Sequence, residues 1–458
     1  MALCGSRLAR AAAALSGGRL RLAAPGDGAL FRLVLYGLAG VVALHLLLTG
    51  LDLAGLAWDP WLLAALWAAV IAAASLVRPE RARRAADERT RLPSDLGWGD
   101  GLALVALLVF ALFALTLWIT IPDFVYHWGL KGHRFFLARG IDYPYLTRGW
   151  NWVIHPDYPN LLPELFAVTA LCAGTFDEPA AMLWSVAFFA LLLGAVREAL
   201  RQAGSSRFVL QAATALVALV AAAAGIGGMM AGGADWMIAL ALAAALPPLM
   251  RPPDRSGDLQ IGVIAAFAAA SKVEGLPLAV ILLALQWLRP GRTGARGDSG
   301  SGSGAGTPPR STAAVAERAA AAAALLVPVA AVALPWLAAV HRHHLFQDFN
   351  SGPFDPARAP AVGGALLAML AARSWHGFTY GLFLLPLLAL DRRLRPAAAA
   401  LLCQVVFYLY VYFSARVDPV ALVLTSFPRL ALHLLPAILT GAAIVLDGLS
   451  VPRKAPPA

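Results

Sequence analysis

Hydrophobic positions in this chain run in long unbroken blocks instead of alternating with polar ones. A stretch such as "GLALVALLVFALFALTLWITIP" holds roughly twenty consecutive residues of the kind that carries a helix across a bilayer. The blocks are rich in Ala and Leu and show no period of two, which argues against an outer-membrane barrel. Spans are predicted near 33–49, 58–77, 99–119, 180–200, 207–226, 234–250, 259–273, 275–288, 318–340, 373–390, 397–414 and 429–447. That makes about twelve, within a range of roughly ten to thirteen. The pair at 259–288 is short on both sides of Lys272 and Glu274, as expected of broken or tilted helices meeting at a cavity.

Polar residues fall mostly between the blocks, and their signs order the loops. Arginines bunch in "RPERARRAADERTR", "REALRQAGSSR" and "DRRLRP", the mark of cytoplasmic loops. If 78–98 is inside, the count also places 201–206, 251–258, 289–317 and 391–396 inside, each with arginine. The segment 120–160, the turn at 227–235, the loop near 272, the segment 341–372 and the loop 415–428 then face outward. Residues 1–32 read as a cytoplasmic tail without a cleavage signal, 33–449 as the transmembrane domain, and 450–458 as a second tail. Within 289–317, "GRTGARGDSGSGSGAGTPPRS" reads as disordered, with no phosphate-loop spacing and an RGD triplet of no adhesive meaning on that side.

Composition agrees with the pattern. The chain of 458 residues is 60% hydrophobic and 14% charged, against about 45–50% and 25% in soluble domains. Its formal charge of +10 is accounted for by the loop arginines, so nucleic acid is not an expected partner. Cys4, Cys172 and Cys403 give neither a metal motif nor a disulfide framework.

Candidate chemistry concentrates in "TIPDFVYHWGLKGHRFFLARGIDYPYLTRGWNWVIHPDYP", residues 120–159. Tyr126, Trp128, Leu130, Phe135 and Phe136 could form the apolar face of a short surface helix, with Asp123, His127, Lys131 and Arg134 spaced along another face. Trp128, Trp150 and Trp152 read as interface anchors, but an acid directly after a span gains little there. Of the three lysines, Lys131, Lys272 and Lys454, two lie at predicted outer or membrane-edge positions, where a compact cation could contact phosphate. "SKVEG" embeds Lys272 and Glu274 in an apolar run; a mutual pair is awkward at that spacing on a continuous helix, so a cavity is the alternative. Asp235, in "GGAD", is either a helix cap or a group facing a site. Arg429, in "SFPR", either snorkels or faces inward. Pro156, Pro159 and Pro163 in "HPDYPNLLPE" predict a rigid loop that holds His155, Asp157 and Tyr158 near the membrane surface, with Glu164 a weaker candidate for the same pocket. A divalent metal, Mg or Mn, on His127, His155 and Asp157 stays open, although no ligand spacing demands it.

"DFVYHWGLKGHRFF", "HPDYPNLLPE", "GGAD", "SKVEG" and "TSFPRLALHLLPA" occur in the order of comparable elements in bacterial integral-membrane glycosyltransferases of the GT-C type. That broad group includes the protein mannosyltransferases and the lipid A aminoarabinose transferase, and the chain resembles it over roughly residues 100–440. The resemblance implies an all-α polytopic GT-C-like fold with short helices in a large external loop. It also implies a polyprenyl-phosphate sugar donor and a glycan, lipid or protein acceptor at the outer face of a bacterial cytoplasmic membrane. Carried over, Asp123 is the catalytic acid, and Asp157 is the candidate second acid with Asp142 behind it. Two spans precede the one leading to Asp123, so the assignment rests on the local motif more than on loop number.

The residue types fit that chemistry. A carboxylate such as Asp123 can take the acceptor's proton, while Lys131, Lys272 and Arg429 hold phosphate charge. His127, Tyr126, His155, Tyr158, Asp235, Glu274 and Glu164 would then line the pocket. A transporter or lipid flippase is the alternative; it would also explain buried Asp235, Lys272 and Glu274, but no internal repeat accompanies them.

Overall fold

The computed structural model describes residues 5–7, 21–24, 26–76, 95–148, 154–289, 312–346, 352–371 and 378–450. Among them the chain is nearly all helical. In order come α1 (Ala29–Leu53), α2 (Pro60–Leu76), α3 (Trp98–Leu115), a π-turn (Phe124–Trp128), α4 (Gly129–Ala138), α5 (Tyr143–Leu146), α6 (Leu161–Ala173), α7 (Glu178–Ala203) and α8 (Arg207–Gly227). They are followed by α9 (Asp235–Met250), α10 (Arg255–Ser271), α11 (Gly275–Leu288), α12 (Thr312–Arg342), α13 (Ala359–Ala371), a 3-10 helix (Phe378–Leu390), α14 (Arg395–Ser414) and α15 (Pro419–Ser450).

Among the described residues seven helices, α1, α3, α7, α8, α12, α14 and α15, are long and apolar enough to cross a membrane. The protein is therefore a multi-pass membrane protein by length and composition, with fewer self-sufficient spans than the twelve blocks suggested. The remaining blocks fold as shorter pieces: α2, α9, α10, α11 and the 3-10 helix. Every residue of α9 is buried, so other helices, not lipid, surround it, and its small side chains in "ALALAAAL" let them come close. The 3-10 helix has only 13 residues, but at about 2 Å of rise each it reaches roughly 26 Å.

The loops sort into two groups by their contacts, following the alternation expected from the sequence. In one group Asp27 pairs with Arg251 (2.7 Å), Ser206 with Asp447 (2.7 Å), and Arg393 with the Ala203 carbonyl (3.1 Å). In the other, Ile121 donates to the Ala231 carbonyl (2.9 Å), Trp336 to that of Asp157 (3.1 Å), and Arg358 to that of Ala415.

Several local expectations change. The described end of the N-terminal tail is clamped to the bundle: Asp27 is buried, and Gln260 donates to both the Leu22 carbonyl (2.7 Å) and Asp27 (2.9 Å). In place of a free loop to 317, α12 starts at Thr312; the rest of the glycine-serine segment lies outside the described residues, as do Trp150, Trp152, Lys454 and Cys4. The 123–136 segment is not a helix resting on a surface. Trp128, Lys131 and Phe135 are fully buried while Tyr126 is 61% exposed, because α4 packs closely against α6. A Cβ on Gly132 would sit 2.7 Å from that of Phe166. Trp128 is therefore a core residue and not an interface anchor.

Candidate functional site at one end of the helix bundle

Three backbone features bring distant acids and cations together. First, residues 119–121 pair with Ala231 in a parallel bridge, Ile121 N to Ala231 O at 2.9 Å and Ala231 N to Ile119 O at 3.0 Å. This ties the start of the π-turn, and with it Asp123, to the glycine turn before Asp235. Gly232 adopts φ +84° in that turn, and an added Cβ would also strike the Phe124 ring at 2.7 Å, so glycine is required twice over. Second, the chain is extended at Lys272 (φ −158°, ψ 161°), which breaks α10 from α11. Gly275 then turns so tightly that a Cβ would lie 1.8 Å from the Ala268 carbonyl oxygen. Third, Arg429 and His433 sit one turn apart on α15, so they share a face.

At the centre is Asp235, fully buried. Its Oδ2 accepts from Arg429 Nη2 (3.1 Å) and Nε (3.2 Å), and its Oδ1 accepts from Lys272 Nζ (3.1 Å) and His433 Nε2 (2.9 Å). It is the first residue of α9, and its carboxylate is bonded by Arg429, Lys272 and His433, so facing the site is its role. An ionised carboxylate only accepts, which assigns the proton to Nε2 of His433 and leaves Nδ1 of a neutral ring to accept from the Tyr408 hydroxyl at 2.7 Å. Arg429 is shared: its Nη1 lies 2.8 Å from Asp123 Oδ2. Lys272 also meets Glu274 Oε1 at 3.2 Å. That pair is awkward on a continuous helix and forms because the helix is broken there.

Asp123 is the open member, its side chain 37% exposed against 0% for Asp235. Among the described residues Glu274 Oε2 and Gln404 Oε1 are buried without a hydrogen-bond partner, although Gln404 Nε2 approaches the Glu274 carbonyl at 3.4 Å. The network balances three carboxylates against two cations.

A neighbouring pocket takes other residues expected at the site. Lys131, fully buried, donates to the His155 carbonyl at 2.7 Å, and His127 Nδ1 bonds the Ile154 carbonyl. His155 has a left-handed φ of 45°, and its ring stacks on Tyr158 with centroids 4.5 Å apart. Burial pushes the Lys131 ammonium down to about 7, with the Asp157 carboxylate only partly offsetting it. Burial, with Lys131 beside it, holds His127 well below its usual range. Lys131 is thus enclosed instead of lining the cluster around Asp235.

Two other groups lie elsewhere. Tyr126 faces outward from the π-turn. Glu164 pairs with His45 at 2.6 Å, near Asp52, which accepts from the Tyr143 hydroxyl (3.0 Å) and the Ile141 amide (3.1 Å). His45, Thr49, Asp52, Tyr143, Glu164 and Trp336 line a small cleft there. Asp142 is engaged by Arg134. Among the described residues no three His, Cys, Asp or Glu side chains converge as metal ligands; His127 and His155 instead share their pocket with a lysine ammonium.

Sequence reasoning singled out Asp123, Asp235, Lys272, Glu274 and Arg429 and missed His433, Tyr408, His45 and Asp52. His433 had a signal, a histidine one helical turn after Arg429. His45 had another, an ionisable group inside an apolar span. Tyr408, one of three tyrosines in "FYLYVYF", had none. No protein-family model matches the chain, and no curated protein or solved structure does either.

Proposed function

We propose that the protein is a glycosyltransferase of the GT-C type. It moves a sugar from a polyprenyl-phosphate carrier to an acceptor at the outer face of a bacterial cytoplasmic membrane. The observation that carries this reading is the half-exposed Asp123 sharing Arg429 with the buried Asp235, with Lys272 on the other side of Asp235. It supplies a carboxylate and two cations at one end of a membrane bundle.

In the reaction the acceptor oxygen attacks the anomeric carbon as the bond from that carbon to the phosphate oxygen breaks. The electron pair leaves with the polyprenyl phosphate, and the acceptor's proton passes to Asp123. Arg429 and Lys272 hold the phosphate charge that develops. Attack opposite the leaving group inverts the anomeric centre. The arginine-rich loops belong to the opposite group of contacts, which supports an outward-facing site by the positive-inside rule. Lys131, enclosed on a carbonyl, positions the 154–158 loop in this reading and does not touch donor phosphate; Asp157 belongs to that loop.

The test is transfer by Asp123→Asn in membranes supplied with polyprenyl-phosphate sugars. A loss of about 10²–10⁴-fold with unchanged protein yield is expected for removing a general base. Full activity would reject Asp123 as the base. Lipids co-purified with the wild-type protein give the independent check: a polyprenyl-phosphate sugar supports the transferase, whereas an unphosphorylated cargo favours transport.

A further inference from the structure

Asp123 and Asp235 compete for one guanidinium on unequal terms. Asp235 is fully buried and holds Arg429 by Nε and Nη2, while its other oxygen is fixed by Lys272 and by His433, itself held by Tyr408. Asp123 is 37% exposed and takes only the Nη1 edge. Its side chain makes no cap bond to the π-turn that follows it. The Nη1 contact occupies the carboxylate oxygen that an acceptor hydroxyl would have to approach, so the resting arrangement masks the proposed base.

We infer that the phosphate of the lipid donor takes the Nη1 edge of Arg429 from Asp123 and thereby frees Asp123 to act on the acceptor. The inference rests on the transferase reading and adds an order to it: donor first, acceptor second. Arginine is well suited to the exchange, since its planar fork meets phosphate as readily as carboxylate. Arg429 need not leave its place, because the Nε and Nη2 bonds to Asp235 anchor the guanidinium while its outer edge changes partner. The charge count drives the result further. Three carboxylates already face two cations, so a bound phosphodiester adds another negative charge at Arg429 and opposes the return of Asp123 to it. Without donor, the base stays paired, which protects the site from activating water.

The exchange makes an unusual demand: Asp123→Asn should bind the phosphate lipid more tightly than the wild type while losing transfer, because a competitor has been removed. Farnesyl phosphate serves as the probe, with farnesol and inorganic phosphate as separate arms, and binding to the purified full-length protein is read by native mass spectrometry. A gain of about two- to fivefold is expected for releasing a half-exposed ion pair. Carbodiimide labelling of Asp123 in the wild type provides a reading that needs no variant; it should rise with farnesyl phosphate and stay level with farnesol or inorganic phosphate. If the wild type binds farnesyl phosphate but Asp123→Asn binds it no better and labelling does not rise, the exchange is overturned and the transferase reading stands. If inorganic phosphate does as much as farnesyl phosphate, the lipid donor is not what releases Asp123. Failure of the wild type to bind farnesyl phosphate at all would overturn both.

Discussion

The two described lysines are buried at the same end of the bundle and are treated in opposite ways. Lys272 meets Asp235 at 3.1 Å and Glu274 at 3.2 Å, in a network that joins five chain segments. Lys131 meets a carbonyl oxygen, and the Asp157 carboxylate only partly offsets its burial. The interior can hold a cation by compensating it or by letting it approach neutrality. The compensated cluster keeps its charges and an open edge at Asp123, and so can work on an anionic ligand. The enclosed lysine reads as a fastener for the loop it holds.

The largest test of that contrast is Asp235→Ala. It removes the anion that both Arg429 and Lys272 share, and stranding buried charge costs about 3–5 kcal/mol. Thermal unfolding in detergent should drop far more for this variant than for Lys131→Met, which leaves only the partly buried Asp157 carboxylate without its neighbouring cation. Equal drops would erase the distinction between the two pockets.

A pH series sharpens it. The unfolded chain binds the Lys131 proton near its ordinary 10.5 and the folded chain only near 7. Between those values the unfolded state holds more protons, so stability rises with pH from about 7 upward and loses that gain as pH falls back toward 7. The melting temperature of the wild type should show this slope between pH 7 and 10, and Lys131→Met should flatten it. An unchanged slope in the variant would assign the effect to other groups. The smallest effect is expected from Tyr408→Phe, which removes one hydrogen bond to His433 and leaves every ion pair in place. A loss of about 1 kcal/mol in unfolding free energy is expected, and a loss as large as that of Asp235→Ala would show that the hydroxyl, not the charges, holds the cluster.

Much of the cluster was legible because ionisable residues in apolar surroundings are rare. Asp235, Lys272, Glu274 and Arg429 each broke a hydrophobic run, and cost alone marked them. The sequence grouped them only by resemblance and by the chemistry expected of them, not by any periodicity. It placed Lys131 beside Lys272 as a phosphate ligand, although their partners differ, a carbonyl for one and two carboxylates for the other, and it counted the 123–136 segment by helical periodicity without the π-turn that interrupts the α-helical register. It anticipated broken helices around Lys272 and called the Lys272–Glu274 pair awkward only on a continuous helix; the break at Lys272 is what lets the pair form.

Local chemistry fixed what the chain had to be: long apolar blocks demand a membrane or a buried core, arginine-rich loops mark one set of ends, and prolines and glycines mark the breaks. Tertiary structure alone decided that α9 is wrapped by protein while seven of the described helices run long enough to cross a membrane. It alone decided that residues 123, 235, 272 and 429 meet, since ion pairs between positions up to about three hundred residues apart depend on how helices pack and not on any periodicity within them.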